Sequence, residues 1–380
     1  MYWSSEALFG DQAASAADHV ALVLHQLSTG GTERVAVRLA NAWAAAGRRV
    51  TLFCGSSDGP LAPLVSPDVE IVPIAHNQPR SRAELGRALA VQMRHHAPDV
   101  VVGPGNYHVP ILAAMQHALD RQCPPILCKI SNPLRRADRS GIRQIAFTAG
   151  FRRMTRRFDA LIAMSPVFAA EAAFVTGRHD IACIDEPNLD AMPDATRGDV
   201  QSHTILCVGR LTRQKNFGLA LEAFARMPRQ TQLVLLGEGE QDAMLRARAG
   251  ELGIADRVRF EGYVRNVGDY LDRADVLLCT SLYEGYPAAL IEALAAGVPL
   301  VTTPCSLALP EILTHELFGT VAAARPFDLA VALQAVMARR TRPAPAPLAE
   351  LARRHQLARS AGLWLGLIDR TVSSRALAIA

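Results

Sequence analysis

The sequence predicts an α/β protein made of two Rossmann-like, doubly wound domains, and three observations carry that reading. Short runs rich in Val, Ile and Leu alternate with Ala-rich helical segments through most of the chain, the pattern of repeated βαβ units around a parallel sheet buried on both faces. The rhythm breaks at EPNLDAMPDATRGDVQSH, which holds two prolines, many polar residues and little periodicity, and then resumes. The length, 380 residues, exceeds one ordinary core and suits two domains of usual size.

The elements follow in order. Residues 1–18, MYWSSEALFGDQAASAAD, lack a basic start and an apolar run, and read as a flexible tail rather than a signal peptide. Residues 19–186 form the first domain, with strands expected in HVALVLHQL, RRVTLFCG, VEIVPI, DVVVGPG, PILCKIS and ALIAMS. Residues 187–202 form a linker, and residues 203–341 form the second domain, with strands expected in TILCVGRL, QLVLLGEGE, RVRFEGYV, ADVLLCTS and PLVTTPC. From residue 342 a Pro/Ala hinge leads into a helical tail to residue 380, whose Trp364, Leu365 and Leu367 are expected to pack onto a domain. Two such domains imply a central cleft, with ligands beyond the carboxyl ends of the strands.

Composition narrows the function classes. Hydrophobic residues make up 50% of the chain and charged ones 20%, which excludes a disordered protein. The net charge of +4 is modest, so any basic surface must come from local clustering. No window approaches the roughly 18 uninterrupted apolar residues of a membrane span. The seven cysteines are scattered without a CxxC pair and read as reduced core residues, which points to the cytoplasm.

Thirty-eight of the forty basic residues are arginine, and the only lysines are Lys129 and Lys215. Lys215 lies in GRLTRQKN, where a buried strand ends at Gly209 and a helix starts near Phe217. Arg210 and Lys215 therefore stand at the carboxyl end of a strand and the amino end of a helix, where anions are favoured. Taken alone, this turn reads equally well as a solvated basic loop. A second segment, TSLYEGYPAALIEALAAGVPLVTTPC, adds weight. There a strand ends near Ser281, Gly285 allows a tight turn, Pro287 suits a first helical turn, and Gly297 with Pro299 ends the helix. Glu284 precedes that helix and Glu292 lies within it; alone, Glu284 could equally be a carboxylate that stabilises the helix start, and Glu292 a solvent-facing residue of an amphipathic helix. Together the segments describe cations, helix amides and hydroxyl-accepting carboxylates around one anion. A nucleotide sugar, with a diphosphate between ribose and sugar, meets all of them.

At these residues the chain resembles the retaining glycosyltransferases of GT-B fold that make up family four. Residues 280–305 match that family's E-x7-E signature with Glu284 and Glu292 in the two Glu places. GRLTRQKN, LVLLGEGE, VRFEGYV, ADVLLCTS and PEIL fall in register, and the resemblance covers roughly residues 19–340. It implies that Arg210 and Lys215 bind the donor diphosphate and stabilise the departing nucleotide, with Gly209 in the same turn. It implies that Glu292 holds the ribose, and that Val264, beside Tyr263, flanks the base through its backbone. Glu284, with the amides of Gly285, Tyr286, Ala288, Ala289 and Leu290, would hold the sugar. Gly30 and Gly31, in the glycine turn after the first strand, would let amides approach the diphosphate or sugar. Where many relatives carry a first-domain histidine, KISNPLRR offers Ser131 and Asn132, and His108 stands nearby in GPGNYHVP. CSLALPEIL lacks the Ser-Gly-Pro common before the residue matching Glu311.

The activity so implied is transfer from a nucleotide sugar, UDP-linked in preference to GDP-mannose, to a lipid-linked or saccharide acceptor in surface polysaccharide or glycolipid synthesis. The alternatives are a nucleotide-sugar epimerase of the same fold, or a catalytically silent scaffold. No D-x-D occurs, so no metal is expected to clamp the diphosphate. Residues 135–157, RRADRSGIRQIAFTAGFRRMTRR, carry eight arginines and one acid, interleaved with Ile142, Ile145, Phe147 and Phe151. This basic amphipathic segment is read as a contact with anionic lipid at the inner face of the cell membrane, in preference to a solvated helix face. No nucleic-acid motif accompanies it.

Overall fold

The computed structural model describes residues 17–28, 30–74, 81–135, 139, 141–190, 202–339 and 345–379. Most of the expected N-terminal tail and linker, part of the Pro/Ala hinge, and residues 136–138 and 140 of the arginine-rich segment lie outside the described residues.

The chain divides into two compact units, the first running to Asp190 and taking in Gln356–Ala380, the second spanning Ala191–His355. The first holds strands β1 (His19–Gln26), β2 (Arg49–Ser56), β3 (Val69–Pro73), β4 (Val100–Gly103), β5 (Ile126–Ile130), β6 (Ala160–Ala163) and β7 (Ile181–Cys183). All pair in parallel, in the order β3-β2-β1-β4-β5-β6-β7. Helices α1 (Gly31–Ala45), α2 (Arg82–His96), α3 (Val109–Leu119), α4 (Gly141–Thr155) and α5 (Pro166–Thr176) make the crossovers.

The second unit holds β8 (Thr204–Val208), β9 (Gln232–Leu236), β10 (Val258–Gly262), β11 (Val276–Cys279), β12 (Leu300–Thr302) and β13 (Gly319–Val321). They pair in parallel in the order β10-β9-β8-β11-β12-β13. Its helices are α6 (Phe217–Phe224), α7 (Asp242–Glu251), α8 (Gly268–Leu271), α9 (Ala288–Ala295), α10 (Leu309–Ile312), α11 (Pro326–Ala338) and α12 (Pro345–Arg354).

Strands buried on both faces explain the near-continuous apolar runs, and the first six residues of β1 are all buried. In the second unit Leu233, Leu235, Val276 and Leu278 pack against Phe217, Leu221 and Phe224 of α6 and Leu329, Leu333 and Val336 of α11. The final helix, α13 (Leu357–Ile379), returns to the first unit. Its Trp364 lies 6.0 Å, ring to ring, from Trp43 of α1, whose indole N–H donates to the Ala361 carbonyl at 3.3 Å. Leu365 and Leu367 pack on the edge of that core, and Arg48 pairs with Asp369 at 2.8 Å.

Both sheets carry a strand the sequence pattern did not reveal. β7 and β13 are three-residue edge strands, too short to display a periodicity. Helix α4 buries only Phe151 and Thr155, and leaves Ile142 and Ile145 83% and 71% exposed. Among the described residues no helix is long and apolar enough to cross a membrane.

Candidate active site

In each sheet the strand order reverses direction once, between β1 and β4 and between β8 and β11. At such a switch point the loops leaving adjacent strands run to opposite faces and leave a crevice beyond their carboxyl ends. The expected site residues gather around both points.

In the second unit the turn after β8 carries Gly209, Arg210 and Lys215, and the loop after β11 carries Glu284 to Pro287. Lys215 Nζ lies 2.6 Å from Glu284 Oε1, and the same oxygen accepts a 2.7 Å hydrogen bond from Ser281 Oγ. Burial pulls the Lys215 ammonium down, but the Glu284 carboxylate, joined by Cys279 and Cys305, holds the group above the ordinary lysine range. Gly209 makes this arrangement possible. It has φ of +150°, and a Cβ there would meet Lys215 Cε at 2.8 Å, so the lysine stem lies across the bare glycine.

Two further contacts tie the loops together. The Gln214 side-chain amide donates to the Tyr283 carbonyl at 2.8 Å, and the Leu282 N–H donates to the Gln214 carbonyl at 2.8 Å. Arg210 is exposed and, among the described residues, has no side-chain partner. Of the two expected cations, then, one is held against a carboxylate and one is free.

Pro287 is the N-cap of α9 and provides no side-chain cap, so the amides of Ala288 and Ala289 start the helix without one. Leu290 N–H already donates to the Pro287 carbonyl at 3.0 Å. Tyr286 is turned inward, with its hydroxyl 3.2 Å from His355 Nε2, so what it offers outward is backbone. The Gly285 carbonyl accepts from Ser306 Oγ at 2.6 Å. Glu292 is half-buried in the middle of α9. Val264 follows β10, two strands from β8, and is linked to the neighbouring loop through Tyr263, whose N–H donates to Glu238 Oε1 at 3.4 Å. Sequence reasoning missed Ser281, Gln214, Ser306 and His355. Only Ser281 carried a signal, the S-x-x-E spacing to Glu284 of a reciprocal cap.

In the first unit Gly30 is the extended N-cap of α1 and Gly31 its first residue. A Cβ on Gly30 would strike Glu33 Oε2 at 2.1 Å, whereas one on Gly31 would meet no atom within 4 Å, so Gly31 borders open space. Across the switch point, Asn106 Oδ1 accepts from the Ser131 N–H at 2.7 Å and Asn106 Nδ2 donates to the Asn132 carbonyl at 2.9 Å. Ser131 and Asn132 thereby knit the loops after β4 and β5 together. His108 is buried, with Nδ1 3.3 Å from the Gly105 carbonyl and, among the described residues, no partner for Nε2. Burial pushes it down to about 4, against the Gly105 hydrogen bond, so it is neutral at physiological pH. Lys129, on β5, is 2% exposed and donates to both oxygens of Glu186 at 2.7 and 2.9 Å.

The two units match known protein families separately. Residues 202–339 match the model for glycosyl transferases group 1, and residues 29–184 match that for glycosyltransferase family 4. The chain belongs to the group 1, family four glycosyltransferases. It is similar to the lipopolysaccharide core biosynthesis glycosyltransferase LpsE of Rhizobium meliloti, with 33% identity over 34% of this chain and 35% of the relative. It is also similar to the amylovoran biosynthesis glycosyltransferase AmsK of Erwinia amylovora, with 34% identity over 36% of this chain and 35% of the relative. Each match thus spans about a third of the relative's length. The fold matches that of Anabaena Alr3699/HepE, solved in complex with UDP, with a TM-score of 0.68 and 19% identity over 95% of this chain and all of that one.

Proposed function

We propose that this protein transfers a sugar, with retention, from a UDP-sugar to a lipid-linked or saccharide acceptor in surface polysaccharide or glycolipid synthesis, without a metal. The carrying observation is Lys215, drawn onto Glu284 at the switch point of the second sheet and flanked by the free Arg210 and the uncapped start of α9. The names of the relatives, a lipopolysaccharide-core and an amylovoran glycosyltransferase, support the acceptor class, and the UDP-bound neighbour supports the base.

On donor binding, Lys215 exchanges Glu284 for a phosphate oxygen, and Arg210 grips the diphosphate through its planar fork. Glu284, so released, accepts hydroxyls of the sugar, while the amides of Gly285, Tyr286, Ala288, Ala289 and Leu290 fix its position. Glu292 accepts the ribose hydroxyls, Gly209 keeps the turn open, and Val264 flanks the base. Gly30 and Gly31 offer amides to diphosphate or sugar. The acceptor hydroxyl attacks from the leaving-group face, and its proton passes to the departing diphosphate. The two cations offset the charge growing there, which is the largest service a preorganised site supplies. No protein nucleophile enters.

The first unit is proposed to rest on anionic lipid through α4 and its surroundings, at the cytoplasmic face of the membrane. Ile142, Ile145 and Phe174 are 83%, 71% and 75% exposed there, among arginines that include Arg135, 5.3 Å over the Phe174 ring.

A thermal-shift panel of UDP- and GDP-sugars tests the donor, since only a bound ligand stabilises in proportion to its affinity. Donor consumed without any acceptor would favour epimerisation, and silence to every nucleotide would favour the scaffold. For the membrane, flotation with anionic liposomes should carry the wild type and leave behind a variant with Arg143, Arg152, Arg153, Arg156 and Arg157 changed to Gln. Equal flotation of both would remove that part of the proposal.

A further inference from the structure

The loop that presents Glu284 is flanked by two thiols. Cys279 ends β11, and Cys305 follows β12, the neighbouring strand. Their Sγ atoms are 3.9 Å apart, with no residue between them. Each touches the machinery of Glu284 by one step. Cys279 Sγ lies 3.6 Å from Ser281 Oγ, which donates to Glu284 Oε1, and the Cys305 carbonyl accepts the Glu284 backbone N–H at 2.7 Å. Cys279 is half-buried and so reachable by a small oxidant, while Cys305 is buried behind it. The pair is also chemically uneven. The hydrogen bond from the Cys305 thiol holds Cys279 below the usual thiol range, and the same contact together with burial holds Cys305 above it.

We propose that Cys279 and Cys305 form a peroxide-responsive dithiol, a modification site whose disulfide pulls the Glu284 loop and breaks the Lys215–Glu284 pair. The Cys279 thiolate attacks one oxygen of hydrogen peroxide, the O–O bond breaks, and sulfenic acid and hydroxide result; the hydroxide takes up the proton that the Cys279 thiol gave to solvent on ionising and becomes water. The Cys305 sulfur then attacks that sulfenic sulfur, the S–O bond breaks, and the hydroxyl leaves as water with the Cys305 proton. In sum two thiols are oxidised to one disulfide and one peroxide is reduced to two waters. Closing 3.9 Å to a sulfur–sulfur bond of about 2 Å must move one or both strand ends, and Glu284 is joined to each. A thiol reductant restores the dithiol and with it the ion pair. The consequence for turnover rests on the proposed function; the chemistry of the pair does not.

The presence of only two lysines gives a readout that needs no substrate. The full chain is treated with hydrogen peroxide, and then reduced and oxidised samples are labelled briefly with an acetylating reagent and digested without reductant. A peptide joining Cys279 to Cys305 should appear, lighter by two hydrogen atoms than the two thiol peptides together. In the same sample Lys215, freed of its carboxylate, should be acetylated severalfold faster, while Lys129, paired with Glu186, stays at its reduced-state level as an internal control. Dithiothreitol should reverse both changes, and Cys305→Ala should abolish them. The wild-type comparison decides the matter even if that variant folds poorly. Absence of the joined peptide, or its presence with Lys215 labelling unchanged against Lys129, overturns the proposal. Binding of UDP by the reduced protein, measured in parallel by calorimetry, reports on the proposed donor alone; its failure would count against that reading and leave the dithiol result standing.

Discussion

The two lysines of this chain occupy opposite kinds of site although each is paired with a glutamate. In the first unit Lys129 of β5 and Glu186, three residues past the end of β7, with side chains 2% and 8% exposed, join through both carboxylate oxygens. In the second, Lys215 and Glu284, 23% and 11% exposed, meet through one oxygen that Ser281 shares, beside a turn held open by a glycine. A sealed, doubly bonded pair has no free direction and holds the fold. A pair with one bonded oxygen and a route to solvent can exchange partners, and that is what a phosphate-binding cation needs.

Glu186→Gln leaves the Lys129 ammonium buried without a counter-charge, so stability should fall by about 3–5 kcal/mol in a denaturant melt. The double variant Lys129→Met with Glu186→Leu should recover most of it. If Glu186→Gln melted like wild type, the first pair would not be structural.

Lys215→Ala should do the reverse. Turnover should drop about 100- to 1,000-fold, the cost of removing one preorganised partner of the leaving group, with little change in melting temperature. A large loss of stability with residual turnover intact would make the two pairs alike.

The next effect is on pH and concerns the buried histidine of the first unit. His108, beside Lys129, takes its proton near 6.5 when unfolded and only near 4 when folded. The unfolded chain binds more protons in that window, so stability rises with pH across it. The contribution of up to about 3 kcal/mol is complete above the unfolded value and lost as pH falls towards the folded one. In His108→Gln the acid limb of the stability curve should flatten; an unchanged limb would place the acid sensitivity elsewhere.

The smallest change is Lys215→Arg, conservative in a chain that uses arginine almost everywhere. The lysine stem lies against Gly209 with no spare room, and a planar guanidinium cannot follow a phosphate there as a compact ammonium does. About a tenfold loss in kcat is expected, and full activity would mean that the second pair tolerates any cation.

Much of the sheet architecture was legible in the sequence, because strands buried on both faces are written as near-continuous apolar runs such as VALVL in β1 and VLLC in β11, and short Val-, Ile- and Leu-bearing segments marked eleven of the thirteen strands among the described residues. The sequence also marked Lys215 by rarity and Glu284 by the turn and helix around it. Other things were settled only by the fold. The short edge strands β7 and β13 exist because a neighbouring strand pairs with them, not through any pattern of their own. The exposure of Ile142 and Ile145 depends on what does not pack over α4. Lys129 looked like one more strand residue until β7 brought the segment ending in Glu186 alongside. Most of all, residues 69 positions apart became an ion pair, and two cysteines 26 apart came into contact, because β8, β11 and β12 are neighbours in the sheet. Side-chain partnerships across strands depend on strand order, and strand order is a property of the closed sheet that no single segment carries.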